Sequence, residues 1–190
     1  MSLPFSRIVL GSVISAAALA AGCRAPEAQT PEAQAVVAFK DKVVEYAALR
    51  QKLKGSAPHR PDEATPQEVD ANQRSLGALI KTARRDAKPG DFFSPGMQSV
   101  IKTVVQEVLA APGGNTVKAS IMDENPGMPE ILINERYPSS VPLSTMPPQM
   151  LERLPKLKEE LEFRFIGPKL VLVDTEADII LDFTGDVLSR

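Results

Sequence analysis

Three stretches of the chain carry apolar residues at helical spacing, and each follows a hydroxyl residue and a proline. Thr30-Pro31, Thr65-Pro66 and Ser94-Pro95 set a capping oxygen ahead of a proline at the first helical position. Thr65-Pro66-Gln67-Glu68 adds a glutamate that completes a capping box. The spacing predicts a first helix from about Pro31 to Lys54, on Val36, Phe39, Val43, Tyr46 and Leu53, with Gly55 as its stop. A second runs from about Pro66 to Ala87, on Val69, Leu76, Leu79, Ile80 and Ala83, and Lys88-Pro89-Gly90 ends it. The third, about Pro95 to Ala111, has the most regular stripe: Met97, Val100, Ile101, Val104, Val105 and Val108. Pro112-Gly113-Gly114 breaks it, and a short helix over Thr116–Asp123 precedes the turn Asn125-Pro126-Gly127.

Beyond about residue 130 the period drops to two. Strands are predicted over Glu130–Tyr137, Leu161–Phe165, Leu170–Val173 and Ile179–Phe183. A Pro/Ser-rich crossing at 138–148 and a short helix over Pro148–Leu154 separate the first strand from the others, and Gly167-Pro168 and Asp174–Ala177 form turns. Strict alternation puts Leu161, Phe163 and Phe165 on an inner face with Glu162 and Arg164 outside. On the last strand it puts Ile179, Leu181 and Phe183 inside and Asp182 outside. Helices first and a meander last predict an α+β fold: N-terminal amphipathic helices packed on a small C-terminal antiparallel sheet.

The start of the chain is of another kind. Arg7 precedes an uncharged run from Ile8 to Ala21, short for a membrane span and of the length of a signal core. Leu19-Ala20-Ala21-Gly22-Cys23 follows and resembles the lipobox of bacterial lipoprotein precursors, with Ala20 where that pattern prefers leucine. The resemblance implies an export signal over residues 1–22 and acylation of Cys23, the one cysteine in the chain. Residues 23–30 then form a lipidated tether and 31–190 one α+β domain, with helices over about 31–123 and the strand-rich part over about 130–188. Two or three acyl chains hold a protein on a membrane, where one is marginal. Arg24 stands where aspartate marks inner-membrane retention in such families, which favours the outer membrane, facing the periplasm.

A second resemblance rests on Tyr137-Pro138, Leu143-Ser144-Thr145-Met146-Pro147-Pro148, Leu161–Gly167, Leu170–Asp174, Lys88-Pro89-Gly90-Asp91 and Asp123–Gly127. These segments resemble a bacterial lipoprotein family of unknown function, which implies no activity. Phe163-Arg164-Phe165-Ile166-Gly167 through Phe183 is faintly similar to the C-terminal hairpin of periplasmic nickel/cobalt-homeostasis proteins, whose His-rich or Arg-rich lead segments are absent here. No metal residue is carried over.

Composition adds exclusions. The formal net charge is −2 in 190 residues, which gives nucleic acid no electrostatic reason to bind. Trp is absent and aromatics make up 5%, so stacking on sugars or bases is poorly served. His59, the sole histidine, sits between Pro58 and Arg60 in a Pro-rich loop and reads as solvated. Asp123-Glu124 and the set Asp174, Glu176, Asp178 and Asp182 read as turn chemistry and the wet face of a strand, ahead of acid/base work or calcium binding. Lys81, Arg84, Arg85 and Lys88 read as cations at a helix C-terminus, ahead of a site for lipid phosphates. Gly113-Gly114 lacks the lysine of a phosphate loop. No catalytic residue, cofactor or metal is therefore expected. The expectation is a non-enzymatic envelope lipoprotein, held on the membrane by the lipid on Cys23 and binding another envelope component. The alternatives are a carrier of an apolar or lipid ligand, lodged between the third helix and the sheet, and a carboxylate-dependent hydrolase.

Overall fold

A computed structural model describes residues 30–58, 61–124, 129–144 and 146–189. The signal, Cys23 and His59 lie outside the described residues. Five helices precede three strands: α1 Pro31–Lys54, α2 Pro66–Ala83, α3 Pro95–Ala110, α4 Gly114–Asp123, α5 Pro148–Leu151, β1 Leu161–Ile166, β2 Lys169–Asp174 and β3 Ile179–Asp186. The strands form one antiparallel sheet in the order β1-β2-β3. The fold is α+β, with the helices packed on a C-terminal meander.

The helix starts follow from their caps. The Thr30 side chain accepts the Ala33 N–H, Ser94 accepts that of Met97, and Thr65 and Glu68 form the reciprocal capping box. On α1 the buried stripe is Phe39, Val43, Tyr46 and Arg50, a spacing that keeps all four on one side. α2 stops at Ala83, a turn before the predicted end. There the Arg84 carbonyl accepts the Ala87 N–H at 2.9 Å and also the Asn134 Nδ2 at 2.9 Å, a cap supplied in part from far along the chain.

The helix-facing side of the sheet presents Leu161, Phe163, Phe165, Leu170, Leu172, Ile179 and Leu181 to Phe39, Phe93, Met97, Ile101 and Val105. Phe39, Phe93 and Phe163 meet pairwise at ring-centroid distances of 6.0, 6.1 and 6.2 Å. At Gly77, α2 comes so close to β3 that an added Cβ would lie 3.2 Å from the Ile179 Cγ2 and 3.3 Å from the Ala177 oxygen. The stripe of α3 is spent here, with Ile101 and Val105 fully buried.

The predicted strand at 130–137 is not one. Asn134 takes a left-handed φ of 60°, which breaks the extension, and Arg136 alone forms a bridge, to Ile179. The segment serves instead as a cover for the second face of the sheet. Ile131, Tyr137 and Val141 pack on Ile166, Val171, Val173 and Ile180 there. It is tied to β3 by backbone bonds from Asn134 N–H to the Ile180 oxygen, from Ile180 N–H to the Glu135 oxygen and from Tyr137 N–H to the Asp178 oxygen.

Three of the predicted facings are corrected: those of Asp182, Phe183 and Arg164. Leu172 pairs with Asp182 but Val173 pairs with Ile180, so Leu181 is the extra residue of a β-bulge and the alternation changes phase. Asp182 thereby turns to the helices and is fully buried, while Phe183 joins the cluster on the other face. Arg164 is not on a wet face either. Its side chain is 12% exposed, paired with Glu162 and stacked over the Tyr137 ring at 5.3 Å, because the 131–141 segment covers that side.

Phe165, fully buried, is expected to lose about 3–5 kcal/mol on replacement by alanine. Arg164→Ala is expected to lose about 1–2 kcal/mol, through the stacked guanidinium and the packed stem. Urea unfolding of the two variants checks both figures. A larger loss at Arg164 than at Phe165 would mean that the cover, not the helix-facing core, carries the fold.

Candidate functional site

The acidic set of the C-terminal meander does not form one site. Asp174 and Asp182 are both fully buried on the helix-facing side, against the expectation of turn and wet-face positions. Asp174 Oδ2 accepts the Tyr46 hydroxyl at 2.6 Å and the Arg50 Nε at 2.8 Å; Oδ1 accepts the Glu176 and Ala177 N–H groups at 3.1 and 2.8 Å. Its turn role is thus kept, with a second role added toward α1. Burial, together with the facing Asp174 carboxylate, pushes the Tyr46 hydroxyl far above its usual pKa. Burial also works against the Arg50 charge, but Asp174 and Glu176 outweigh it and raise its pKa.

Asp182 organises a loop. Its Oδ2 accepts the Phe92 and Phe93 N–H groups at 2.8 and 2.7 Å, and its Oδ1 accepts those of Gly90 and Phe183 at 3.0 and 2.8 Å. Gly90 takes a φ of 95°, the left-handed backbone that lets the 90–93 loop curl its donors around one carboxylate. Asp178 departs from the set altogether and pairs with Arg136 at 2.7 Å, which also holds Asp70 at 2.8 Å. Glu124 accepts from the Ser120 hydroxyl at 3.3 Å, and neighbouring Asp123 is exposed at the end of α4.

The basic run is likewise divided. Lys81 pairs with Glu135, Arg85 lies 3.5 Å from Asp86, and Lys88 is exposed. Arg84 instead turns inward, which corrects its reading as a cation at the helix end. Its Nη1 donates to Asn134 Oδ1 at 2.7 Å and its Nη2 to the Leu181 carbonyl at 3.2 Å. The guanidinium carbon lies 5.6 Å from the Tyr46 ring centroid and 5.1 Å from that of Phe92. Burial holds its pKa below the ordinary arginine value.

Beside Arg84 opens a cleft of about 280 Å³. Lys42, Glu45, Tyr46 and Leu49, successive on one side of α1, form one wall; Arg84, Asp91 and Phe92 form the other. A larger groove of about 480 Å³ lies at the β1 edge, with the exposed Leu143 and Leu151 on its rim and Met146, Leu157 and Phe163 along it. Among the described residues there is no group of three or more His, Cys, Asp or Glu arranged to hold a metal ion, and no helix is long and apolar enough to cross a membrane.

Comparison of the chain with protein-family models, with curated proteins and with solved structures finds no match. The site residues that sequence reasoning missed are Asn134, Arg50 and the inward Arg84. A lone arginine on an apolar helix stripe, as Arg50 is beside Phe39, Val43 and Tyr46, was the one signal available.

Asp182→Ala would leave the buried Phe92 and Phe93 N–H groups without an acceptor. At about 1–3 kcal/mol for each, a loss of about 3–5 kcal/mol in chemical denaturation is expected, with Asp178→Asn, which tolerates the left-handed backbone there and loses only the partly exposed pair with Arg136, below about 1 kcal/mol as the control. Equal losses would contradict the scaffold role of Asp182. Glu176 contributes to the acid dependence. Burial works to raise its pKa, but hydrogen bonds from Lys54 and Arg50 outweigh it and hold the carboxyl below its ordinary 4.5. Its contribution is therefore full above pH 4.5 and is lost as the pH falls through the lower folded value. Unfolding midpoints measured from about pH 6 to about pH 3 are expected to fall less steeply for Glu176→Gln, which does not titrate, than for the native chain. Parallel curves would remove Glu176 from the account.

Proposed function

We propose that this chain is a bacterial envelope lipoprotein, acylated at Cys23, whose domain is a non-enzymatic binding module for another envelope component. The observation that carries the reading is the sequence around Cys23: a charged start, the uncharged run Ile8–Ala21 and Gly22 before the one cysteine. The resemblance of Leu143–Pro148 and Leu161–Gly167 to a lipoprotein family of unknown function points the same way. Three features of the domain agree with it. The buried carboxylates Asp174 and Asp182 are engaged through both oxygens in holding helices and loop to the sheet. Leu143 and Leu151, 69% and 52% exposed, both line one groove, as a docking surface requires. Residues 24–30 span at most about 25 Å when extended, which keeps the domain close to the lipid surface.

Fractionation of cells that make the full chain, with labelling by a fatty-acid analogue, tests the anchor. The native protein is expected in the membrane fraction and labelled. Cys23→Ser is expected unlabelled, and either released or left with its signal attached. Label that persists on Cys23→Ser would overturn the assignment.

A further inference from the structure

We propose that the cleft between α1 and the 84–92 segment binds a small zwitterion of the amino-acid type, with its carboxylate on Arg84 and its ammonium on Asp91. The walls carry four charges, Lys42 and Arg84 against Glu45 and Asp91, and these cancel. One pair is already closed: Lys42 and Glu45 meet at 2.7 Å on the surface of α1. The other two charges are open. Arg84 has five N–H donors, and among the described residues two of its nitrogens donate, to a side-chain amide oxygen and to a backbone carbonyl, both neutral acceptors. Among the described residues no carboxylate reaches it within ion-pair distance; Asp91 and the buried Asp182 act on it only through space. Asp91 in turn takes the Lys88 N–H at 3.1 Å and forms no ion pair among the described residues.

A half-buried guanidinium is costly without a counter-charge. A ligand carboxylate supplies one, and it binds where the Tyr46 and Phe92 rings keep water from one side of the cation. A simple anion would meet Glu45 and Asp91, and a simple cation would meet Arg84 and Lys42. A molecule with both charges meets neither objection and leaves the balance of the cleft unchanged. The volume of about 280 Å³ lies below that of sites for drug-sized ligands, about 300–1,000 Å³, and suits a molecule of amino-acid size. Leu49 and Phe92 give the apolar lining for its side chain. This site stands apart from the anchoring reading, since none of its residues belongs to the signal or tether.

The test is calorimetric titration of the full-length protein with each of the common amino acids, followed by the deaminated and decarboxylated analogues of the best binder. At least one amino acid is expected to bind, and each analogue, lacking one charge, to bind about tenfold more weakly or worse. Asp91→Asn is expected to weaken the amino acid by about the same factor without weakening the deaminated analogue, and Arg84→Gln to weaken the amino acid without weakening the decarboxylated one. Asp91 is exposed, so its variant folds and decides the matter alone if Arg84→Gln does not. Absence of binding by every amino acid up to about 10 mM would overturn the proposal. So would an analogue that binds as tightly as the parent, or an Asp91→Asn protein that binds the amino acid normally.

Discussion

A carboxylate with no exposed surface holds this domain together. Asp182 lies on the inner side of β3, where an apolar residue would be ordinary, and takes hydrogen bonds from Gly90, Phe92 and Phe93. A buried charge survives only when every lone pair is used, and four donors use these. The same bonds place Phe93 against Phe39 and Phe163, so the polar contact and the aromatic core depend on each other. Asp174 repeats the device at the turn of the β2–β3 hairpin. There the donors come from the Tyr46 and Arg50 side chains, and α1 is the element secured. Two aspartates thus clamp the sheet to the helical layer at separate points.

The second constraint is that three strands make a sheet with two apolar faces. Val171, Val173 and Ile180 cannot reach the helices, so another part of the chain must cover them. The 131–141 segment does this, and Asn134 is its hinge. Its left-handed backbone turns the chain, its side chain caps α2, and it accepts from Arg84. Arg84 in turn reaches the Leu181 carbonyl beside the bulge. One residue pair therefore links the end of a helix, the cover and the edge strand.

What the sequence makes legible is local. Thr30, Thr65 and Ser94 read correctly as helix starts because a cap and its partner are three residues apart. The inner face of β1 reads correctly because alternation holds from Leu161 to Phe165, although the opposite face, read as wet, is covered at Arg164. What stays hidden is distant. Asp182 and Gly90 are 92 positions apart, and Arg84 and Asn134 are 50 apart. Nothing in the residues around Asp182 distinguishes an outward aspartate from an inward one. The bulge at Leu181 decides it, and bulges answer to pairing across the sheet. The apolar run Ile131–Ile133 reads as a strand, but only Ile131 packs against the sheet, as part of a cover and not as a paired member, and Leu132 faces solvent. The Arg84–Asp91 cleft was out of reach altogether, since its two walls, α1 and the 84–92 segment, meet only in the folded chain.

The cover has a consequence for the unfinished chain. It rests on the sheet through one bridge and a few backbone bonds, with Arg136 latched to Asp70 and Asp178 as its outermost tie. Until the cover docks, Ile166, Val171, Val173 and Ile180 form a bare apolar sheet, open to the same face of a second copy. In chain order the cover precedes the surface it protects, so the sheet is shielded as soon as its last strand joins. A chain that reversed this order would leave the sheet waiting, and self-association would compete with folding.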